Sequence, residues 1–494
     1  GQYLAYAKFD DTQVQTISYP WYTGDAYYEI ENVKYPKPGY TNPTINIAIY
    51  SMADNTTVWV DWSSYPTITF EYVTYVTWDP LGNLILKLVP RDQTIEYTVS
   101  VNATNGKIQT LLSELEMMDG WIDSEPVWYN EDSASTGLYW TISPNAGYNH
   151  IVEYNSSDPN YSKFVTSGTW DVTDIAFISS SKIYFSSTQN SPINRPLYSV
   201  NLDGTGLVAV TGTSGWYSAT FSPSGKYFVS SFSTAAEKEV PTQTLMEIEP
   251  TIAEVEVLTS NSDLKNSFKE WNLPTRKFIK VQSGTLTLNA MMTFPPNFDD
   301  SKQNHYPMLI NVYGGPSSQG VTNTYFYTDG FHMFLASQMN CIVVSVDGRG
   351  TAGRGNQFMF SVYKQLGYYE VIDQTNAAQY IAKNYPYIDE SKVGIWGWSY
   401  GGYMTLMTLA DTLNTNYKVF KYGISVAPVT DWKYYDTFYA EKYMLTPSEN
   451  PLYTNSSVIT RIPNLAGTPR TDPNAYSIQS NLLLVHGTAD DNVH

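Results

Sequence analysis

The 494-residue chain holds a single cysteine, Cys341, which excludes any internal disulfide. That thiol lies in the apolar run Cys341-Ile342-Val343-Val344-Ser345-Val346 and reads as a buried structural side chain. A cysteine nucleophile or a zinc site has no support, and neither a metal nor a cofactor is expected. Basic residues are scarce: 28 Lys and Arg stand against 47 Asp and Glu, for a net charge of −19. Binding of nucleic acid or anionic lipid by bulk charge is therefore disfavoured, and an acidic, solubilising surface is the plain reading. No apolar run approaches the roughly 20 residues a membrane helix needs. An initiator Met and a signal peptide are also missing, so the natural start is expected upstream of Gly1. Glycosylation sequons begin at Asn55, Asn102, Asn155, Asn160 and Asn455, about as many as chance supplies in a chain this rich in Asn, Ser and Thr.

What the chain does have is aromatic bulk, 15% of residues with 42 Tyr, enough for large cores. It also has one stretch around which the rest is organised, Gly394-Ile395-Trp396-Gly397-Trp398-Ser399-Tyr400-Gly401-Gly402-Tyr403. Residues 393–396 read as a short buried strand and 401–409 as an apolar helix. Gly397-Trp398-Ser399-Tyr400-Gly401 between them fits the nucleophile elbow G-x-S-x-G. A serine forced into a tight strand-to-helix turn needs near-absent side chains two positions before and after it. The helix that follows offers free N–H groups to a developing oxyanion.

Up to about residue 260 the chain shows short strand-like segments rich in Tyr, Val, Thr and Trp, with turn residues between them. Four aromatic anchors, Trp78, Trp128, Phe177 and Phe221, recur at a period near 45–50 residues. Two of them are followed by Pro-x-Gly and an apolar strand, at 80–86 and 223–229. A period near 45 with four strands per unit is the signature of a β-propeller, and a β-sandwich is the alternative. Residues 1–7 resemble the strand after such a turn, as if the chain began inside a blade. Residues 241–258 read as a last blade and 261–272 as a polar helix ended by Leu273-Pro274. The expectation is an incomplete N-terminal β-propeller at 1–272 and an α/β-hydrolase domain at 273–494.

In the second half, continuous apolar runs at 308–312, 341–346, 393–396, 422–426 and 482–485 read as mostly parallel strands buried on both faces. A helix at 371–383 places Val371, Ala378, Ile381 and Ala382 on one face. Three loops after these strands carry the chemistry. Tyr313-Gly314-Gly315-Pro316 can bring a donor to an oxyanion. Asp347-Gly348-Arg349-Gly350 reads as an ion pair and turn. The third, 486–494, carries Asp490 where a triad acid belongs in the order Ser, Asp, His, with a helix-capping Asp as the alternative. The base is the difficulty. His150 lies in the propeller region, His305 and His332 precede the nucleophile, His486 adjoins a strand, and His494 is too close to Asp490. The chain is expected to end before its catalytic histidine.

Both halves together resemble dipeptidyl peptidase IV and its relatives in the prolyl oligopeptidase clan of serine peptidases. The resemblance rests on the 397–403 motif, Asp347-Gly348-Arg349-Gly350, 486–494, Ala427-Pro428-Val429 and Trp432-Lys433-Tyr434-Tyr435-Asp436. Residues 4–12 and 33–39 also look like family propeller sequence. It implies Ser399 as nucleophile and Asp490 as triad acid. Tyr313 and the N–H of Tyr400 would form the oxyanion hole. Tyr400, Val429, Trp432, Tyr435, Tyr439 and Val493 would form a pocket for proline or alanine, and Asn492 would hold a substrate carbonyl. An aromatic and Val-lined box rewards burial of a compact apolar ring; by the residues alone, the Tyr-rich run at 432–443 reads as core packing. The implied substrates are peptides with a free N-terminus and Pro or Ala second, hydrolysed through an acyl-enzyme. The resemblance further implies a homodimer at the cell surface or outside the cell. The family's Glu-Glu pair and its catalytic histidine have no counterpart here and are expected upstream and downstream of these 494 residues, which are therefore expected to be inactive. The disulfides of the family's cell-surface members are absent as well, with Tyr422 standing where one of their cysteines would be, which sets the chain apart from those members. A non-catalytic propeller-based interaction protein, or another peptidase or esterase of the clan, is the competing reading.

Overall fold

The computed structural model describes residues 1–24, 26–248, 251–411, 418–462 and 481–494. It divides into two compact units, one of Gly1–Phe185, Tyr198–Val208 and Lys433–Asn450, the other of Ser186–Leu197, Ala209–Trp432 and Pro451–His494. Among the described residues no helix is long and apolar enough to cross a membrane.

The first unit is built from antiparallel, blade-like sheets. Strands Tyr3–Asp10, Thr44–Ser51 and Thr56–Trp59 form one of three strands. Tyr72–Trp78, Leu84–Val89, Ile95–Val101 and Ile108–Glu116 form the next, of four. The turn between its first two strands shows what the Pro-x-Gly signal reports. Asp79 Oδ1 accepts the N–H groups of Leu81 and Asn83, and Gly82 adopts φ +83°, a conformation that penalises any Cβ. Trp78, ending its strand, stacks on Tyr3 at 6.1 Å between ring centres. The anchor Trp128 belongs to no strand. It exchanges two backbone hydrogen bonds with Trp140, at 2.8 and 3.0 Å, and so adds a fourth edge to the sheet of Leu138–Asn145, Tyr148–Asn155 and Asp158–Phe164. The alternating strands pack Leu84, Leu86, Leu88, Val99 and Val101 into one core, and Trp140, Ile151, Ile175 and Phe185 into another. A buried ion pair, Lys87 Nζ to Glu96 Oε1 at 2.8 Å, crosses neighbouring strands.

Helix Thr437–Met444 also belongs to this unit, carrying Tyr439; Tyr435 precedes its N-cap Asp436, which accepts the N–H of Tyr439. Glu441 takes the Arg91 guanidinium and, at 2.7 Å, the N–H of Gly39. Gln93 donates to the carbonyl of Phe438, and Tyr443 packs edge-on against Trp121 at 4.8 Å.

The second unit opens with a four-stranded sheet of Trp216–Phe221, Tyr227–Ser233, Thr242–Glu247 and Ala253–Thr259. The 241–258 segment is thus the outer half of a sheet begun at Trp216 rather than a blade of its own; Glu249 and Pro250 lie outside the described residues. Helix Ser262–Glu270 follows. A seven-stranded mixed sheet then runs in the order Thr275–Ser283, Leu286–Phe294, Ile342–Asp347, Tyr306–Asn311, Ile388–Trp398, Tyr422–Val426, Asn481–Val485. The first two strands are antiparallel to their neighbours and the remaining five are mutually parallel. The apolar runs forecast these five strands because helix-covered parallel strands bury both faces. The last departs from that rule. Among the described residues Asn481–Val485 is paired on one side only, with Leu483, Leu484 and Val485 all more than 40% exposed. Cys341 is buried as expected, and burial pushes its thiol up to about 12.

Candidate active site

One row of paired residues, Ser345, Asn311, Trp396, Ile424 and Leu483, crosses all five parallel strands. Because these strands run the same way, the loops after them leave along one edge of the sheet. Ligands of open α/β sheets bind at this carboxyl edge. Asp347 ends its strand at this edge, and Tyr313, Ser399, Ala427 and His486 lie at the starts of the other four loops, so the topology gathers the residues singled out in the sequence.

Ser399 sits at φ 58°, ψ −117°, a strained conformation for a residue with a side chain. Its N–H donates to Val426 O at 2.9 Å, and its carbonyl accepts the N–H of Tyr403 at 3.0 Å, starting helix Tyr400–Ala410. Three glycines let backbones meet here. A Cβ on Gly397 or Gly401 would overlap the carbonyl oxygen of Val312, and one on Gly402 would sit 2.6 Å from Val426 O. The G-x-S-x-G spacing is therefore a statement about backbone crowding.

Tyr313 begins the neighbouring loop, half exposed, its ring 5.9 Å from that of Tyr400. Partial burial raises its phenol above the usual range, keeping it protonated and able to donate. Gly314 turns at φ +75°, and a Cβ on Gly315 would lie 2.8 Å from the Tyr313 ring, so the Gly-Gly pair makes room for that ring. The loop is tied down by Ser317 N–H to Gly350 O at 3.0 Å and by Ala352 N–H to Ser318 O at 2.9 Å.

The Tyr400 ring is 2% exposed and packs against Trp432 at 5.4 Å and Tyr403 at 5.3 Å. Trp432 and Val429 are themselves buried. The Tyr403 hydroxyl lies 2.9 Å from the carbonyls of both Leu366 and Ser456 and shares its one proton between them. Ser399, Tyr400, Tyr313 and Trp432 thus form one connected group. Tyr435 and Tyr439, also assigned to the pocket by resemblance, belong to the first unit, their rings 5.3 Å apart.

Asp490 Oδ1 accepts the N–H groups of Asn492, at 3.1 Å, and Val493, at 3.0 Å. This is the hydrogen bonding of a capping residue, and it also fixes the carboxylate's orientation. Its Oδ2 lies 3.6 Å from His486 Nε2, which donates to Val493 O at 3.0 Å. Val493 is buried and Asn492 exposed. With adjacent strands about 4.8 Å apart, the roots of the elbow and of the Asp490 loop are roughly 10 Å apart.

His332 is held by Asp329 through Nδ1 and accepts the Trp396 indole N–H at Nε2, 3.1 Å. His150 bonds Thr166 and the carbonyl of Gly168 in the first unit. His305 lies beside Asn340. Asp347 accepts N–H groups from Gly320, at 2.8 Å, and Val321, at 2.9 Å, while Arg349 pairs with Asp373 through Nε–Oδ2 at 3.0 Å and Nη2–Oδ1 at 2.8 Å. The expected ion pair exists, with a partner from helix Tyr369–Asn384. Sequence reasoning missed Glu370 on that same helix. It is fully buried and accepts the Tyr400 hydroxyl at 2.7 Å. Two carboxylates three residues apart, Glu370 and Asp373, on the apolar face of this helix were the signal available.

Residues 1–238 match the family model described as the dipeptidyl peptidase IV N-terminal region, and residues 326–494 match that of the prolyl oligopeptidase family. Dipeptidyl aminopeptidase B of Saccharomyces cerevisiae is 35% identical over 535 residues, covering 100% of this chain and 62% of the relative. The Emericella nidulans protein named "Probable dipeptidyl-aminopeptidase B" is 32% identical over 482 residues, covering 95% of this chain and 51% of the relative. Among solved structures, Porphyromonas gingivalis dipeptidyl peptidase 4 superposes with a TM-score of 0.85 at 32% identity, covering 100% of this chain and 66% of that one. The chain thus spans between half and two thirds of the length of these proteins.

Proposed function

Because the chain belongs to the prolyl oligopeptidase family, with the dipeptidyl peptidase IV type of N-terminal region, we propose that the whole protein releases dipeptides from peptide N-termini through an acyl-enzyme on Ser399. The observation that carries this reading is the strained elbow at Ser399, set beside Tyr313 at the carboxyl edge of the parallel sheet.

In this reading Ser399 Oγ attacks the carbonyl after the second residue. The Tyr400 N–H and the Tyr313 hydroxyl receive the developing oxyanion, where a well-placed donor contributes a few kcal/mol. Asp490, its carboxylate oriented by two N–H groups, holds the general base in its working tautomer. Val429, Trp432 and Val493 supply apolar surface, which favours a compact second residue such as Pro or Ala. Asn492, exposed on the Asp490 loop, donates to the substrate backbone.

His150, His305 and His332 make their described contacts away from the elbow, and His486 lies beside Asp490 rather than beside Ser399, so these 494 residues on their own are expected to be inert. The test is hydrolysis of a Gly-Pro chromogenic amide by the full-length protein, compared with its Ser399→Ala variant and with residues 1–494 alone. Turnover only by the full-length wild type supports the reading. Labelling by a serine-directed phosphonate without cleavage of Gly-Pro or Gly-Ala amides would remove the dipeptidase assignment and favour another peptidase or an esterase.

A further inference from the structure

Tyr400 is the first residue of the elbow helix, and its backbone N–H is the donor assigned to the oxyanion. Anything that sets the position of its side chain therefore also sets that donor. The ring is enclosed by aromatic neighbours, Tyr313, Tyr403 and Trp432, and its hydroxyl reaches past them to Glu370 Oε1 at 2.7 Å. The N–H of Gly367 donates to the same oxygen at 3.0 Å. Among the described residues Oε2 has no partner, although it is buried. A carboxyl that is fully enclosed yet half satisfied is costly, and such a group persists where it has a task.

We infer that Glu370 is a positioning residue of the elbow: by anchoring the Tyr400 phenol it fixes the N–H offered to the oxyanion. This rests on the serine-peptidase reading of Ser399. Glu370 comes from helix Tyr369–Asn384, whose neighbouring carboxylate, Asp373, is already committed to Arg349 and to Ser283 at 2.6 Å. The ionisable groups facing the cluster are Asp373 from the same helix, Tyr400 and Tyr403 from the elbow helix, and, acting on Tyr403, Arg461 and Asp431. Burial pushes the Glu370 carboxyl up to about 7, opposed by the Gly367 N–H and the Tyr400 hydroxyl. Its charge therefore changes near neutral pH. The ionised form accepts the phenol in a charge-assisted bond, about twice as strong as a neutral one, so the donor is held more firmly above pH 7 than below.

The experiment compares Glu370→Gln and Glu370→Ala with wild type in the full-length protein, from pH 6 to 8. Two readouts are used: Gly-Pro amide kinetics, and the rate of Ser399 labelling by a fluorophosphonate. Glu370→Ala should lower kcat roughly hundredfold, the order expected for a misplacement of about 1 Å, with KM nearly unchanged. Glu370→Gln keeps an acceptor but cannot ionise, so it should match wild type near pH 6 and fall about tenfold behind near pH 8. A Gln-to-wild-type ratio that stays constant with pH overturns the inference, and this arm remains decisive if the Ala variant fails to fold. Glu370-dependent labelling without amide turnover keeps the inference and rejects the dipeptidase. A wild-type Ser399 that takes no label rejects both.

Discussion

Gly397 and Gly401 approach each other across the turn at Ser399 so closely that a Cβ on Gly397 would lie 2.5 Å from the carbonyl carbon of Gly401. Both would also overlap Val312 O on the neighbouring strand. Backbone atoms cannot move aside as a flexible side-chain tip can. Gly401→Ala should therefore cost about 3 kcal/mol or more, the upper end of overpacking penalties, read as a shift in the urea midpoint of the second unit. A loss below about 1 kcal/mol would show that the strand and helix can separate and that the crowding argument is wrong.

Ser399 itself should be replaceable at a gain. At φ 58° and ψ −117° a Cβ is penalised and glycine is not. Ser399→Gly should be more stable than Ser399→Ala by about 1 kcal/mol in thermal or urea unfolding, with phosphonate labelling abolished in both. Equal stability of the two variants would mean that the turn stores no strain.

Arg349 and Asp373 are predicted to matter for stability. Asp373 is wholly buried, and the guanidinium also lies 4.0 Å from the Tyr369 ring centre. Removing one member of a buried pair leaves an uncompensated charge, so Arg349→Met should cost on the order of 3 kcal/mol, while the double change Arg349→Met/Asp373→Leu recovers much of it. A double-mutant cycle gives the answer. Additive losses would place the two residues in independent roles.

Asp347 gives a pH prediction. Burial pushes its carboxyl up to about 6, against the N–H bonds from Gly320 and Val321. The folded chain therefore holds this proton more tightly than the unfolded one. Its contribution is fully present below the unfolded value of 3.8 and is lost as pH rises through about 6. An Asp347→Asn variant cannot titrate. Its stability relative to wild type should improve by a few kcal/mol between pH 4 and 7, since each tenfold difference in proton affinity between the folded and unfolded chain is worth about 1.4 kcal/mol. Parallel urea-stability curves for the two proteins across that range would contradict this.

The elements legible in sequence were those whose local pattern states a tertiary fact. The elbow was readable because its glycines report touching backbones. The five parallel strands were readable because burial on both faces leaves unbroken apolar runs. The Pro-x-Gly turns were readable because Gly82 must adopt positive φ. Other features depend on partners remote in sequence. Trp128 resembles the other anchors but makes only a bridge, since its partner Trp140 lies across a loop. Leu483 and Leu484 have the composition of a buried strand, yet composition does not say that, among the described residues, only one neighbouring strand pairs with them. Glu370 looked like an ordinary helical carboxylate until the Tyr400 hydroxyl was placed against it. The aromatic run at 432–443 divides, with Trp432 in one unit and Tyr435, Tyr439 and Tyr443 in the other, a division that no spacing encodes.

That division reaches into the order of synthesis. Arg91 and Glu441 are 350 residues apart along the chain, and the stretch Ala209–Trp432 of the second unit is translated between them. On the ribosome, Arg91, Gln93 and Trp121 emerge long before the helix that will occupy them. The blade-like sheets can form as they appear, since nearly all their pairings join strands adjacent in sequence, but the surface awaiting Thr437–Met444 stays uncovered until nearly the whole segment has been made. Closure of the first unit is thus a late event, timed by the second. A nascent chain stalled before residue 437 would present Trp121 and an unpaired guanidinium to whatever binds unfinished proteins.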